Sequence, residues 1–261
     1  MLQVVGNVAI DTVFTVDRFP LPGETIVAAA MVEDIGGKGA NQAVVAARAG
    51  VPVRLVAAVG DDEAARLIRS ALQAEGVLGD GLCTIAGPTD RSSIYVDGRG
   101  ENTIVSLIGA ARTFDPLALG ALDGLAPGDT VLCQGNLRPE VLTACLAKAR
   151  QAGARTALNP SPVFPAEGFD WRLADLLVLN RVEVQQIAAH KDPRAGARNS
   201  KRPAPVRSWS RSAAKALCCS ARKSMAYRRR PSMPSTPPGQ EMSFAAYWWR
   251  CGSTDGSGRM R

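Results

Sequence analysis

Gly36-Gly37-Lys38-Gly39-Ala40-Asn41-Gln42-Ala43 is the stretch on which the reading of this chain turns. Its glycines let a backbone come close to a ligand, and the helix that follows offers unpaired N–H groups at its start. Lys38 and Asn41 add polar heads. Taken alone, the octapeptide is also readable as a plain glycine-rich turn. The residues that follow are apolar on one face and stop at Gly50 with Pro52 beyond, a regular helix end that predicts a helix over 41–49.

Working outward, residues 4–10 predict a first strand with Asp11 at its end, and 53–59 a second. After Gly60-Asp61-Asp62 a helix over 63–75 places Ala64, Leu67, Ile68, Ala71 and Leu72 on one face. The unit recurs as strand 130–133, helix 139–152, strand 156–158 and strand 176–179. Such alternation predicts an α/β fold on a mostly parallel sheet. Segments 12–32 and 92–105 break the rhythm and read as extra strands, the second a hairpin around Asp97-Gly98, suited to a small β flap over the sheet edge.

A chain of 261 residues suits one large domain. Its net charge of +7 is unevenly spread: residues 1–189 hold 15 Lys+Arg against 21 Asp+Glu, and 190–261 hold 16 against 3. The basic excess therefore belongs to the tail. There the arginines follow no helical face and no interleaved aromatic pattern, which argues against a nucleic-acid-binding arm. The six cysteines lack metal-site spacing, and the lone His190 has no partner of catalytic type. With no basic stretch before Asp11 and no run of transmembrane length, the expectation is a reduced, cytoplasmic protein without a membrane partner.

The octapeptide, Asp11, and Pro20-x-Pro22-Gly23-Glu24-Thr25 together resemble the ribokinase-type PfkB carbohydrate kinases, a likeness that runs continuously to about Glu183. The resemblance implies a doubly wound α/β domain over 1–190, with a β lid from 12–32 and 92–105 that covers a sugar and often serves in dimer contacts. It implies that Asp11 accepts hydrogen bonds from sugar hydroxyls, and that Gly37, Lys38, Gly39, Ala40 and Asn41 form the loop holding the same sugar. Asn136 stands where the family's ribose-binding members place a sugar-binding Glu, and Ala9 where they place Asn; both departures bear on which sugar is bound. Asn180 and Glu183 match the family's Asn-x-x-Glu, implying roles toward nucleotide phosphates and Mg²⁺, with ATP as phosphoryl donor. The same pair is also readable as a helix capping box. Asn159-Pro160-Ser161-Pro162 follows the family pattern as a strand-end turn.

Phosphoryl transfer in this family draws its base and anion hole from a C-terminal Gly-Ala-Gly-Asp, absent from this sequence. In its place stands Ser232-Met233-Pro234-Ser235-Thr236-Pro237-Pro238-Gly239-Gln240-Glu241-Met242-Ser243. Joining the third base of each codon to the first two of the next permits Asp-Ala-Val-Asp-Thr-Thr-Gly-Ala-Gly-Asp-Val. The same shift over 207–219 permits Val-Val-Val-Thr-Leu-Gly, two variable residues, and Gly-Ala-Leu-Leu. The reading is an out-of-frame, basic tail over 191–261, expected to be disordered and to leave the chain without turnover. A sugar-binding module without catalysis is the alternative.

Overall fold

Short runs of small and branched apolar residues, LQVV, VRLVAAV, TVLCQ, RTALN and LLVLN, form parallel strands. The computed structural model describes residues 1–164, 168–180, 183, 186, 187 and the backbone of 215–219. In chain order the elements are β1 (Leu2–Val5), β2 (Ala9–Thr15), β3 (Ala30–Gly36), α1 (Lys38–Arg48), β4 (Val53–Val59), α2 (Glu63–Ala74), β5 (Leu82–Thr84), β6 (Arg91–Val96), β7 (Asn102–Leu107), α3 (Ala110–Thr113), β8 (Thr130–Gln134), α4 (Pro139–Gln151), β9 (Arg155–Asn159), β10 (Leu176–Asn180) and β11 (Lys215–Cys219).

The main sheet runs β11-β10-β9-β8-β1-β4-β5, with every pair parallel. Parallel strands need both faces covered, and β4 is buried at every residue but Arg54. Successive residues of a strand point to opposite faces. Val4, Val53, Leu55 and Ala57 accordingly pack with Ala40 and Ala43 of α1 and Ile68 and Leu72 of α2. Val5, Val56, Val131 and Cys133 pack on the other side with Phe114 and with Leu142, Cys145 and Leu146 of α4. Burying a side chain such as Leu55 or Leu142 stabilises the fold by about 1.5–3 kcal/mol. The α/β fold, mostly parallel and doubly wound, is the one expected.

The second sheet, the lid, runs β3-β2-β6-β7, with β2 antiparallel to β3, parallel to β6, and β6 antiparallel to β7. Asp34, Asp11, Ser92 and Ser106 lie in one row across it, and Val32, Val13, Ile94 and Ile104 form the next row of the same face. The opposite face stacks Phe14 on Tyr95, ring centroids 5.4 Å apart.

Three expectations need correction. The first strand does not run unbroken from 4 to 10: the chain leaves the main sheet at Gly6 and starts a lid strand at Ala9, so Asp11 belongs to the lid rather than to the end of β1. Segment 12–32 is not strand throughout, because residues 16–29, with Pro20, Pro22 and Gly23, link β2 to β3 outside the ladder. Helix α1 begins at Lys38, three residues before the apolar period becomes visible, since glycines and alanine supply its first turn. The hairpin over 92–105 forms, but its positive φ falls at Gly100 (+82°) rather than in Asp97-Gly98, and Asp97 closes the tip by accepting hydrogen bonds from the N–H groups of Arg99 and Glu101. Of the stretch expected to be disordered, Lys215–Cys219 forms β11 alongside β10, and the rest lies outside the described residues. Among the described residues no helix is long and apolar enough to cross a membrane.

Candidate functional site

Strand order fixes where a ligand can sit. From β1 the chain builds outward through β4 and β5 on one side and through β8, β9 and β10 on the other. The order therefore reverses between β1 and β8. In open α/β sheets, crevices at such a reversal, beyond the carboxyl ends of the strands, receive ligands. Here those ends carry Gly6-Asn7 after β1 and Gly135-Asn136 after β8, and the start of α1 lies across them.

Close approach of backbones explains the glycines. Gly37, the residue before α1, has φ +91°, and a Cβ there would fall 2.8 Å from the Val8 Cα and 2.9 Å from the Asn7 carbonyl oxygen. A Cβ on Gly39 would fall 2.6 Å from that same oxygen. The helix start is consequently capped from outside: the Gly39 N–H donates to Asn7 Oδ1 at 3.4 Å and the Ala40 N–H to the Asn7 carbonyl at 3.1 Å. Gly36 is bare because the Asp11 carboxylate occupies the space its Cβ would take, at 2.0 Å. These contacts bring Asp11 and the Gly37–Asn41 loop together. Lys38 is exposed, Asn41 half-buried, and Gly39 and Ala40 buried.

Burial pushes the Asp11 carboxyl above its ordinary range; a hydrogen bond with the Ser92 side chain opposes this, and the charge of Asp34 adds to it. Asn136 follows β8, and neither its Oδ1 nor its Nδ2, both buried, has a hydrogen-bond partner among the described residues. An amide left without partners at the end of a strand is costly unless a ligand or water completes it. Asn180 and Glu183 lie further along the same edge of the sheet. The Glu183 N–H donates to Asn180 Oδ1 at 2.8 Å and the Asn180 N–H to Glu183 Oε2 at 2.9 Å, a reciprocal capping box. Their oxygen donors suit Mg²⁺ chemically, with the second oxygen of Glu183 outside the box. Among the described residues no group of three or more His, Cys, Asp or Glu gathers for a metal.

Three residues without an assigned role also belong here. Asn7 caps α1, and the sequence hides this, because Asn7 falls inside the run 4–10 that reads as one strand. Gln134 is 0 % exposed, and its Nε2 donates to Gln42 Oε1 at 2.6 Å. Gln42 Nε2 in turn donates to Asn159 Oδ1 at 3.3 Å, and Asn159 Nδ2 to the Val178 carbonyl at 2.8 Å.

A parallel α/β sheet whose strand order reverses beside a glycine-rich helix start and an unpartnered amide, Asn136, has the architecture of the open α/β domains that take ligands at such a reversal. The sequence profile of the pfkB family carbohydrate kinases matches residues 1–204, and this chain belongs to that family. It is 35% identical to the ribokinase of Bacillus subtilis over 163 residues, 62% of this chain and 56% of the relative. It is 30% identical over 187 residues to the bifunctional ribokinase/ribose-5-phosphate isomerase A of Fructilactobacillus sanfranciscensis, 70% of this chain and 35% of the relative. Among solved structures, the ribokinase of Cryptococcus neoformans var. grubii in complex with ADP superposes with a TM-score of 0.62 at 32% identity, covering 73% of this chain and 61% of that one. The ribokinase of Arabidopsis thaliana complexed with ribose and ATP gives 0.63 at 26% identity, covering 72% and 62%. The chain thus spans less than two thirds of the length of each of these relatives.

Proposed function

We propose that this chain carries the sugar-binding part of an ATP-dependent sugar kinase, whose acceptor is the hydroxymethyl group of ribose or a related sugar. The observations that carry this reading are the Asp11 carboxylate packed on Gly36 directly before the Gly37–Asn41 loop, and the unpartnered Asn136 just beyond β8, which borders the reversal of strand order. A carboxylate, a helix start and an amide offer the acceptors and donors that a fan of adjacent hydroxyls needs. Asp11 and Asn136 receive and orient the sugar, and the lid shields it from water. Asn180 and Glu183 stand on the nucleotide side, where Mg²⁺, when bound, neutralises phosphate charge. Glu183 would serve it through its second oxygen or through water. Unpaired Cys83, Cys133 and Cys145 fit a reducing, cytoplasmic setting, and the apolar row Val32-Val13-Ile94-Ile104 fits a lid-to-lid homodimer.

In the frame given, residues 232–243 do not supply the Gly-Ala-Gly-Asp base and anion hole, so this chain binds without turnover; losing even one such donor costs roughly a hundredfold or more in rate. Isothermal titration of the full chain with D-ribose and D-fructose, beside a phosphoryl-transfer assay with Mg²⁺ and ATP, tests the reading. Saturable binding without product is expected. Absence of binding by either sugar would refute the sugar site, and rapid turnover would refute the out-of-frame tail.

A further inference from the structure

Hydrogen bonding in the interior gives the three amides Gln134, Gln42 and Asn159 one direction only. A carbonyl can only accept, so Asn159 must turn Nδ2 toward the Val178 oxygen, and that leaves Oδ1 for Gln42. Gln42 must then present Nε2 to Asn159 and Oε1 to Gln134, and Gln134 must give Nε2 to Gln42. The head of the chain is therefore an acceptor, Gln134 Oε1. It is buried without a hydrogen-bond partner among the described residues, and it lies 3.2 Å from the place a Gly39 Cβ would occupy. A Cβ on Gly6 would fall 1.9 Å from it, so the strand end before Asn7 is shaped around this oxygen as well.

The relay joins four elements: β8, α1, β9 and β10. Its head abuts the Gly37–Asn41 loop. Its tail is the carbonyl two residues before Asn180, whose own N–H is held by Glu183. We infer that this amide relay positions the two ends of the site against each other, so that filling the sugar loop tightens the Asn180–Glu183 box. Gln42, buried and with both ends of its amide engaged inside the relay, is its central positioning residue. A buried chain of amides with fixed polarity has no alternative partners, so a shift of α1 at Gln42 must be followed by Asn159 or break a bond. The inference rests on the sugar-site reading for its ligand, though not for its wiring.

Amide hydrogen exchange on the full chain tests both parts. In the ligand-free chain, Gln42→Met keeps the side-chain volume and removes both relay bonds. Exchange over 176–180 should then run roughly fivefold faster, the loss of about one hydrogen bond, with 53–59 in β4 unchanged as a control. Asn159→Leu, which also removes the bond to the Val178 carbonyl, should do at least as much, and the double variant should do no more than Asn159→Leu alone, since both cut one wire. Unchanged exchange over 176–180 in Gln42→Met, or additive effects in the double variant, would overturn the relay. With saturating D-ribose, the wild-type chain should gain protection at 37–42 and at 176–180 together, and Gln42→Met should keep the first and lose the second. Protection at 176–180 that survives in Gln42→Met would overturn the coupling. No protection at 37–42 in the wild type would count against the sugar reading alone, and the ligand-free comparison would still decide the relay.

Discussion

Gly37→Ala places a methyl group where the backbone of residues 7 and 8 already stands. Two costs add. A φ of +91° is strained for any residue with a Cβ, about 1–3 kcal/mol, and contacts of 2.8 Å with Val8 Cα and 2.9 Å with the Asn7 oxygen force the backbone to move, about 1–3 kcal/mol more. Alanine recovers about 0.4–1 kcal/mol through a less free unfolded chain, which leaves a net loss of about 2–5 kcal/mol. Two further glycines separate the contributions. Gly50 has φ +81° with nothing within 4 Å of a built Cβ, so Gly50→Ala carries the strain alone, about 1 kcal/mol net. Gly39 lies inside α1, where alanine is favoured by about 1 kcal/mol, yet its Cβ would meet the Asn7 oxygen at 2.6 Å and nitrogen at 2.8 Å; Gly39→Ala should end within about 2 kcal/mol of wild type. Urea unfolding of the full chain followed by circular dichroism orders the three. If Gly37→Ala matches Gly50→Ala within about 0.5 kcal/mol, the close approach of α1 to residues 7 and 8 is not what the glycine serves, and the packing argument for the loop fails.

Three other outcomes follow from the same structure. Burial, with the Asp34 charge, raises the Asp11 carboxyl, so the native chain holds this proton longer than the unfolded one, and stability falls as pH rises from the ordinary carboxylate range through the raised value. Asp11→Asn should flatten that decline in urea midpoints while abolishing sugar binding; an unchanged slope would remove burial as the cause. Asp62 behaves oppositely. Burial works against its ionised form, but the Thr89 hydroxyl, the Thr89 N–H and the Ala65 N–H outweigh it and hold the carboxyl below its usual range. Its contribution is present above the unfolded value and lost as pH falls through the folded one, so Asp62→Ala should cost about 1–2 kcal/mol at pH 7 and much less in acid. Finally, burial lifts the thiol of Cys145 to about 12 and that of Cys133 well above its ordinary value. Iodoacetamide at pH 8 should modify neither before urea is added, as read by peptide mass mapping, and native labelling at the rate of Cys83 would contradict their burial.

Much of the fold was legible because its strands are short apolar runs and its helices stop at glycines: β4 was read to the residue, and β8, β9 and β10 to within one or two residues at each end. What escaped was local. The three residues of β5 carry too little pattern, and α3 exists because the Asp90 carboxylate accepts from the N–H groups of Gly109, Ala110 and Ala111, a long-range cap that no window of sequence displays. Asp11 was singled out, yet its place on the lid was missed, since nothing in Val8-Ala9-Ile10 announces that the chain has changed sheets. The candidate site was visible as a glycine cluster and a set of polar strand ends. That Gln42 faces Gln134, 92 positions away, was not visible, because pairing of buried amides is a property of packing.

The interleaving of the two sheets governs the order in which the chain can assemble. The central pairing of the lid sets Ile10 against Arg91, and between them lie β3, α1, β4, α2 and β5. Closing so long a loop is entropically costly until that intervening βα unit has condensed and carries the two strands toward each other. On a ribosome, β2 and β3 emerge long before β6 exists, as a hairpin holding Val13, Phe14, Met31 and Val32 without the strand that completes its far side. A hairpin alone is marginal in water. The lid is thus the last of the N-terminal pieces to become rigid, and the interval before β6 arrives is when this chain is most exposed to pairing with the wrong edge.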